Sequence, residues 1–116
     1  MKAPADRSNA PSERRQYRRV RANLPGRYML TNGSEYGCRA RDISAGGVAL
    51  MAPSSGRLGE RVIAYIDHIG RVEGVIVRTF SLGFAMMIGA TQRGHNILAA
   101  RISRLPDPEL LPEIIR

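Results

Sequence analysis

The chain has 116 residues, enough for one domain of ordinary size. It carries 18 Lys and Arg residues against 10 Asp and Glu residues, a formal net charge of +8 at pH 7. Lys2 is the only lysine, so most of the positive charge lies on arginine, whose planar guanidinium suits phosphates and guanine edges. The single cysteine, Cys38, excludes an internal disulfide and a cysteine-based zinc site. The composition predicts a globular domain with an anionic partner.

Residues 1–13 are rich in Ala, Pro, Ser and Asn and lack hydrophobic periodicity, so we predict a flexible N-terminal arm. Residues 1–27 hold eight basic and two acidic side chains, +6 of the total charge of +8. The arginines therefore concentrate where the arm meets the domain, which we place at residues 14–105. No secretory leader or membrane-spanning apolar run is visible, so the expected location is cytoplasmic, without membrane insertion.

Short alternating and β-branched runs separated by turn residues predict six strands in a barrel spanning about residues 21–90. The predicted strands are 27–31, 36–43, 48–52, 61–66, 71–80 and 84–88. Most are joined by tight turns, so we expect antiparallel pairing of neighbours. In the second strand Cys38 and Ala40 alternate with Arg39 and Arg41. Strict alternation places Asp42 on the Cys38 and Ala40 face unless a bulge near Ile43 redirects it.

The hydrophobic period changes after residue 90, where Thr91 is suited to cap a helix over about residues 91–105. The apolar stripe of that helix comprises Ile97, Leu98, Ile102 and Leu105. We expect the helix to close one end of the barrel. The predicted fold is all-β with a terminal helix: a six-stranded antiparallel barrel plus a C-terminal α-helix. Residues 106–116 form a C-terminal tail whose apolar residues have no partner that the sequence identifies.

Enzymatic signatures are missing from the sequence. His68 and His95 are the only histidines, and we assign them solvated or capping roles. Ser44 lacks the Gly-x-Ser-x-Gly setting of a nucleophile elbow, and no Gly-Lys-Ser/Thr of a phosphate-binding loop is present. The chain is therefore predicted not to be an enzyme and to need no metal or cofactor.

Two segments nevertheless stand out. Residues 13–21 contain five arginines, and the second predicted strand ends in Asp42-Ile43-Ser44-Ala45-Gly46-Gly47. Alone, the first is explained by a solvated basic tail and the second by a polar turn with a glycine bulge. Together, Arg15-x-x-x-Arg19 and Asp42-x-Ser44-x-x-Gly47 resemble the two-part signature of PilZ domains, bacterial receptors for the second messenger cyclic di-GMP. The resemblance covers residues 13–104 and implies a PilZ-type barrel.

The resemblance implies a cyclic di-GMP site whose residue types suit the ligand. An arginine fork matches the paired acceptors O6 and N7 of guanine, and an aspartate accepts from the N1–H and N2–H₂ edge. The implied ligand-binding residues are Arg14, Arg15, Arg19, Asp42, Ser44, Gly46, Gly47 and Arg78. Arg14, directly before the first motif arginine, implies two stacked ligand molecules per chain. Arg78 occupies a position where some relatives carry an aromatic residue that stacks on the ligand.

The charge of the arm, together with an anionic ligand, predicts how a signal leaves the domain. Ligand binding is expected to order the arm and so signal to an unidentified downstream protein, with motility, biofilm or polysaccharide output. The expected assembly is a monomer or weak homodimer. One alternative is a small basic barrel that binds nucleic acid, although an aromatic content of 5% without Trp provides little stacking surface. A second is a PilZ-like protein-interaction scaffold, which the intact motif residues disfavour.

Overall fold

Five of the six barrel strands form close to where the residue pattern predicts them, and the first begins earlier. The computed structural model describes residues 17–105, so the predicted arm, Arg14, Arg15 and the C-terminal tail lie outside the described residues. The elements are β1 (Val20–Met29), β2 (Glu35–Ser44), β3 (Gly47–Met51), β4 (Arg61–Ile66), β5 (Gly70–Phe80), β6 (Gly83–Ile88) and the helix α1 (Gln92–Ser103). Strand β1 begins well before the predicted residue 27, because pairing with β2 sustains a segment whose own sequence contains Pro25.

The six strands close into a barrel in the order β1-β2-β3-β6-β5-β4, and every neighbouring pair is antiparallel. The predicted fold class is thereby confirmed. Sequential strands pair across each tight turn, whereas β3 and β4 are not neighbours and are joined by a longer loop. Closure leaves no unpaired strand edge, and β1 completes it by pairing with β4 as well as with β2.

Inward-facing side chains fill the barrel around Tyr28 and Phe84, whose rings meet edge to face at a centroid distance of 5.2 Å. The loop between β3 and β4 packs on this core, since the Tyr28 hydroxyl donates to the carbonyl of Ser54 and accepts from its N–H. Burial raises the pKa of Tyr28. Farther along that loop, the Glu60 carboxylate accepts from the Thr31 N–H at 3.1 Å. These contacts anchor the loop to the β1 side of the barrel.

Helix α1 packs against the core with Leu98 and Ile102, which are both buried. Thr91 caps it as predicted, since its hydroxyl oxygen accepts from the N–H of Gly94 at 3.0 Å. At the other end of the helix, Arg101 donates to the carbonyl of Ile69 at 2.8 Å. The predicted apolar stripe is wrong for Ile97, which is 46% exposed, because successive helical residues point about 100° apart and Leu98 faces the barrel.

Cys38 is partly buried on β2, and burial raises the pKa of its thiol from 9.0 to about 11. The thiolate is the reactive form, so a rise of two pKa units lowers its fraction at pH 8 roughly a hundredfold. We expect native protein to react with iodoacetamide roughly ten- to a hundredfold more slowly than denatured protein, because the more basic thiolate is also the better nucleophile and offsets part of the loss. Mass spectrometry of the alkylated fraction over time measures both rates, and equal rates would contradict this expectation.

Candidate functional site

A bulge in β2 directs Asp42 out of the barrel. Ala40 pairs with Leu50 of β3, but Asp42 pairs with Ala49, so Arg41 is an extra residue on β2. Strand β1 shifts register at the same level, between Arg21 and Leu24. As a result, Ala40 stays in the core while Asp42 is partly exposed. A bulge therefore does turn Asp42 outward. It lies at Arg41, two residues before the predicted position near Ile43.

Arg19 and Asp42, one from each sequence motif, meet on the outer surface. The Arg19 Nε donates to Asp42 Oδ2 at 3.1 Å, across 23 residues of sequence. The two side chains are 56% and 40% exposed, so the pair adds little to folding stability. In the β1–β2 register, Arg21 lies directly opposite Asp42. This corner thus combines arginine donors with a carboxylate acceptor that solvent can reach.

Beside Asp42 the outer face of the barrel is lined by small side chains. Pairing across the strands places Asp42, Ala49, Ala85 and Arg78 in one row over β2, β3, β6 and β5. Both alanines are partly exposed, and Arg78 is exposed with its guanidinium 5.8 Å from the centroid of the Phe80 ring. Three strand spacings separate the backbones of Asp42 and Arg78, roughly 14 Å. A shallow surface therefore extends between an acidic end and a basic end.

Ser44, Gly46 and Gly47 form the turn between β2 and β3. Ser44 is 6% exposed, and its hydroxyl oxygen accepts from the N–H of Gly46 at 3.1 Å. A Cβ at Gly47 would lie 3.0 Å from the carbonyl oxygen of Met86, so strand β6 leaves little room for a side chain. A Cβ at Gly46 would lie 3.3 Å from Cδ2 of Tyr17. Packing within the chain thus accounts for both glycines, which the resemblance assigned to ligand binding.

Tyr17 occupies a position in the site that the sequence analysis missed. It lies midway between Arg15 and Arg19, and its ring packs against that of His95 at a centroid distance of 5.2 Å. Gln92 donates to the Tyr17 hydroxyl at 3.2 Å. His95 is partly buried rather than solvated. The only available signal in the sequence was an aromatic residue at the centre of the arginine motif.

The predicted site residues that the structure describes thus lie in two places. Arg19, Asp42 and the turn residues Ser44, Gly46 and Gly47 lie at one corner of the barrel, whereas Arg78 lies across the outer face. Arg14 and Arg15 lie outside the described residues. Within residues 17–105, no group of three or more His, Cys, Asp or Glu side chains is arranged to hold a metal ion. No helix in that range has the length and apolarity needed to cross a membrane.

Residues 17–105 thus form a small closed β-barrel domain with an arginine–carboxylate pair exposed on its outer face. Comparison with known protein families matches residues 13–102 to the PilZ domain. The chain belongs to the PilZ domain family. PilZ domains are generally non-catalytic receptors for cyclic di-GMP, and no enzyme family is indicated for this chain.

Solved structures with the same fold agree with this assignment. The crystal structure of the PilZ domain of CeSA from a cellulose-synthesizing bacterium has a TM-score of 0.61 and 18% identity, over 73% of this chain and 93% of that one. The structure of the Bacillus subtilis inhibitor of motility has a TM-score of 0.57 and 24% identity, over 77% of this chain and 50% of that one. At these identities the similarity establishes the fold alone. No curated protein sequence matches the chain significantly.

Proposed function

We propose that this chain is a cytoplasmic, non-catalytic receptor that binds cyclic di-GMP on the outer face of its barrel. The observation that carries the proposal is the contact between Arg19 and Asp42 at 3.1 Å. It joins the two motifs on the exposed surface and sets a guanidinium beside a carboxylate. Guanine offers acceptors at O6 and N7 and donors at N1 and N2, so it needs both kinds of partner.

Each remaining motif residue has a defined part in the proposed complex. Arg15 and Arg19 contact phosphates and guanine, and Asp42 accepts from the guanine N1–H and N2–H₂ edge. Ser44 and the two glycines after it shape the turn beside that edge, and the Ser44 O–H is available as a donor. Arg14 extends the site so that two stacked ligand molecules bind per chain. Arg78, at the far end of the row that contains Ala49 and Ala85, stacks on the outer of the two cyclic di-GMP molecules.

The proposed response is an ordering of the arm. Ligand phosphates neutralise the arginines of residues 13–21, which relieves their mutual repulsion and lets the arm close over the barrel face. A downstream protein then binds the surface that this closure creates. In such a mechanism, ligand binding slows amide exchange in the residues around the arginine motif. Motility, biofilm formation and polysaccharide synthesis are the proposed outputs.

Calorimetric titration with cyclic di-GMP tests the proposal, with GMP, GTP and a short RNA as comparison ligands. We expect saturable binding at micromolar or lower concentration, near two ligands per chain, and a loss of roughly 5- to 150-fold in affinity for Arg19→Ala. Arg27→Ala is the matched control, because Arg27 is another exposed arginine paired with a carboxylate, Glu35 at 3.6 Å. It should bind like the wild type.

The outcomes separate the candidate functions. A stoichiometry of one ligand per chain would support the receptor function but contradict the proposed role of Arg14 in binding a second molecule. Steeply salt-dependent RNA binding without cyclic di-GMP binding would identify the domain as a nucleic-acid-binding barrel. The absence of binding to either ligand would favour a protein-interaction scaffold.

A further inference from the structure

Tyr17 joins three separate parts of the fold. Its ring lies beside Gly46 in the β2–β3 turn, where an added Cβ would come 3.3 Å from Cδ2, and it packs on the imidazole of His95. Its hydroxyl accepts from Gln92 in the first turn of α1, which lies 75 residues away in sequence. The side chain is partly buried, unlike Arg18 and Arg19, which follow it and are exposed.

The groups that hold Tyr17 are themselves held in place. His95 Nε2 lies 3.1 Å from the carbonyl oxygen of Ile88 at the end of β6. The N–H of Ile88 donates to the carbonyl of Gly46 at 2.9 Å, which ties β6 to the β2–β3 turn. Gln92 also donates to Asn96 at 3.0 Å within the helix. Gly46, Gln92 and His95 together form the seat of Tyr17, and contacts within the barrel and α1 already hold these residues in place.

We infer that Tyr17 is a positioning residue, which fixes the segment leading to Arg19 against α1 and so couples ligand binding on the barrel face to the first turn of the helix. The inference rests on the proposed function. Tyr17 lies two residues before Arg19, so its seat restrains the backbone that leads to Arg19. A restrained backbone loses less conformational freedom when the arginines bind a ligand.

The coupling follows from the same contacts. Ligand binding that holds Arg19 also holds Tyr17 in its seat, and Tyr17 contacts Gln92 and His95 directly. Because coupling free energies are reciprocal, changes to the seat on α1 must alter ligand affinity in turn. The first turn of α1 therefore senses ligand occupancy, although it makes no contact with Asp42 that the structure shows.

Calorimetry and amide hydrogen exchange on the full chain test this inference, with cyclic di-GMP as the probe. We expect Tyr17→Ala to weaken binding about tenfold or more, because the arginine segment must then be ordered by the ligand alone. Tyr17→Phe keeps the ring contacts and should recover most of that affinity. Tyr65→Ala is the matched control, since Tyr65 is an exposed tyrosine of β4 away from the motif residues, and it should bind like the wild type.

Amide exchange distinguishes coupling from general destabilisation. In the wild type, ligand should slow exchange both at Asp42 to Ser44 and in the first turn of α1. In Tyr17→Ala at saturating ligand, slowing at Asp42 to Ser44 should persist while slowing in α1 is lost. His95→Ala removes the contact that the helix makes with the Tyr17 ring, and it should also weaken cyclic di-GMP binding. Agreement between the two variants guards against a folding defect confined to the Tyr17 variant.

The possible failures are distinguishable. If the wild type binds cyclic di-GMP and Tyr17→Ala binds equally well, or if slowing in α1 survives the substitution, the inference is wrong and the proposed function stands. If the wild type does not bind cyclic di-GMP, the proposed function fails and the inference falls with it.

Discussion

Asp42→Ala is expected to reduce affinity for cyclic di-GMP by about 1–3 kcal/mol, roughly 5- to 150-fold. The substitution removes the only carboxylate at this corner for which the structure shows a contact with a motif arginine. With it goes the proposed acceptor for the guanine N1–H and N2–H₂ edge. It also frees Arg19 from its partner at 3.1 Å, so arginine side chains alone remain to orient the base. Calorimetry measures the change directly.

The same variant separates a guanine receptor from a nucleic-acid-binding barrel. Binding of a short RNA depends mainly on positive charge, so Asp42→Ala should leave it unchanged or slightly strengthen it. Glu35→Ala is the matched control, because Glu35 is also a half-exposed carboxylate paired with an arginine, Arg27 at 3.6 Å. If Glu35→Ala weakened cyclic di-GMP binding as much as Asp42→Ala, the loss would not be specific to the corner that holds Arg19 and Asp42, and the assigned role of Asp42 would be wrong.

Gly74→Ala should destabilise the fold by about 3 kcal/mol, which lowers the melting temperature by roughly 12 °C or more in a domain of this size. Gly74 lies on β5 where β6 passes very close. A Cβ at this position would lie 1.7 Å from the carbonyl oxygen of Met87 and 2.8 Å from the carbonyl carbon. Both are backbone atoms that cannot rotate away, so the strands must separate and their hydrogen bonds must lengthen.

Gly37→Ala tests whether that cost comes from the close approach or from any change of a strand glycine. Gly37 is exposed on β2, and a Cβ there would meet nothing nearer than the carbonyl oxygen of Gly26 at 4.0 Å. Alanine should therefore raise stability by about 0.5–1 kcal/mol, since it restricts the unfolded chain. Thermal and urea unfolding of the two variants should move in opposite directions. Equal destabilisation by the two substitutions would show that the close approach of β6 is not the reason that a side chain at residue 74 destabilises the fold.

Local residue patterns were sufficient to predict the elements of the fold. Alternation along β2 placed Ala40 inside and Arg39 outside, and the structure has them so. The Thr91 hydroxyl caps α1 by accepting from the N–H of Gly94, three residues later in the chain, so the cap depends on no distant segment. Strand β1 shows the limit of such patterns, since its first half pairs with β2 despite Pro25 and was not predicted.

The sequence by itself determined six strands, a capped terminal helix and the two short motifs of the proposed ligand site. The strands, the cap and each motif depend on residues within a few positions of one another, where period, turn chemistry and motif spacing act directly. The tertiary structure alone decided that Arg41 is the bulged residue that directs Asp42 outward, that Tyr17 rests on His95, and that Gly74 admits no side chain. These features arise only when strands and helix far apart in the chain come into register, because they consist of contacts between segments whose pairing no local pattern encodes.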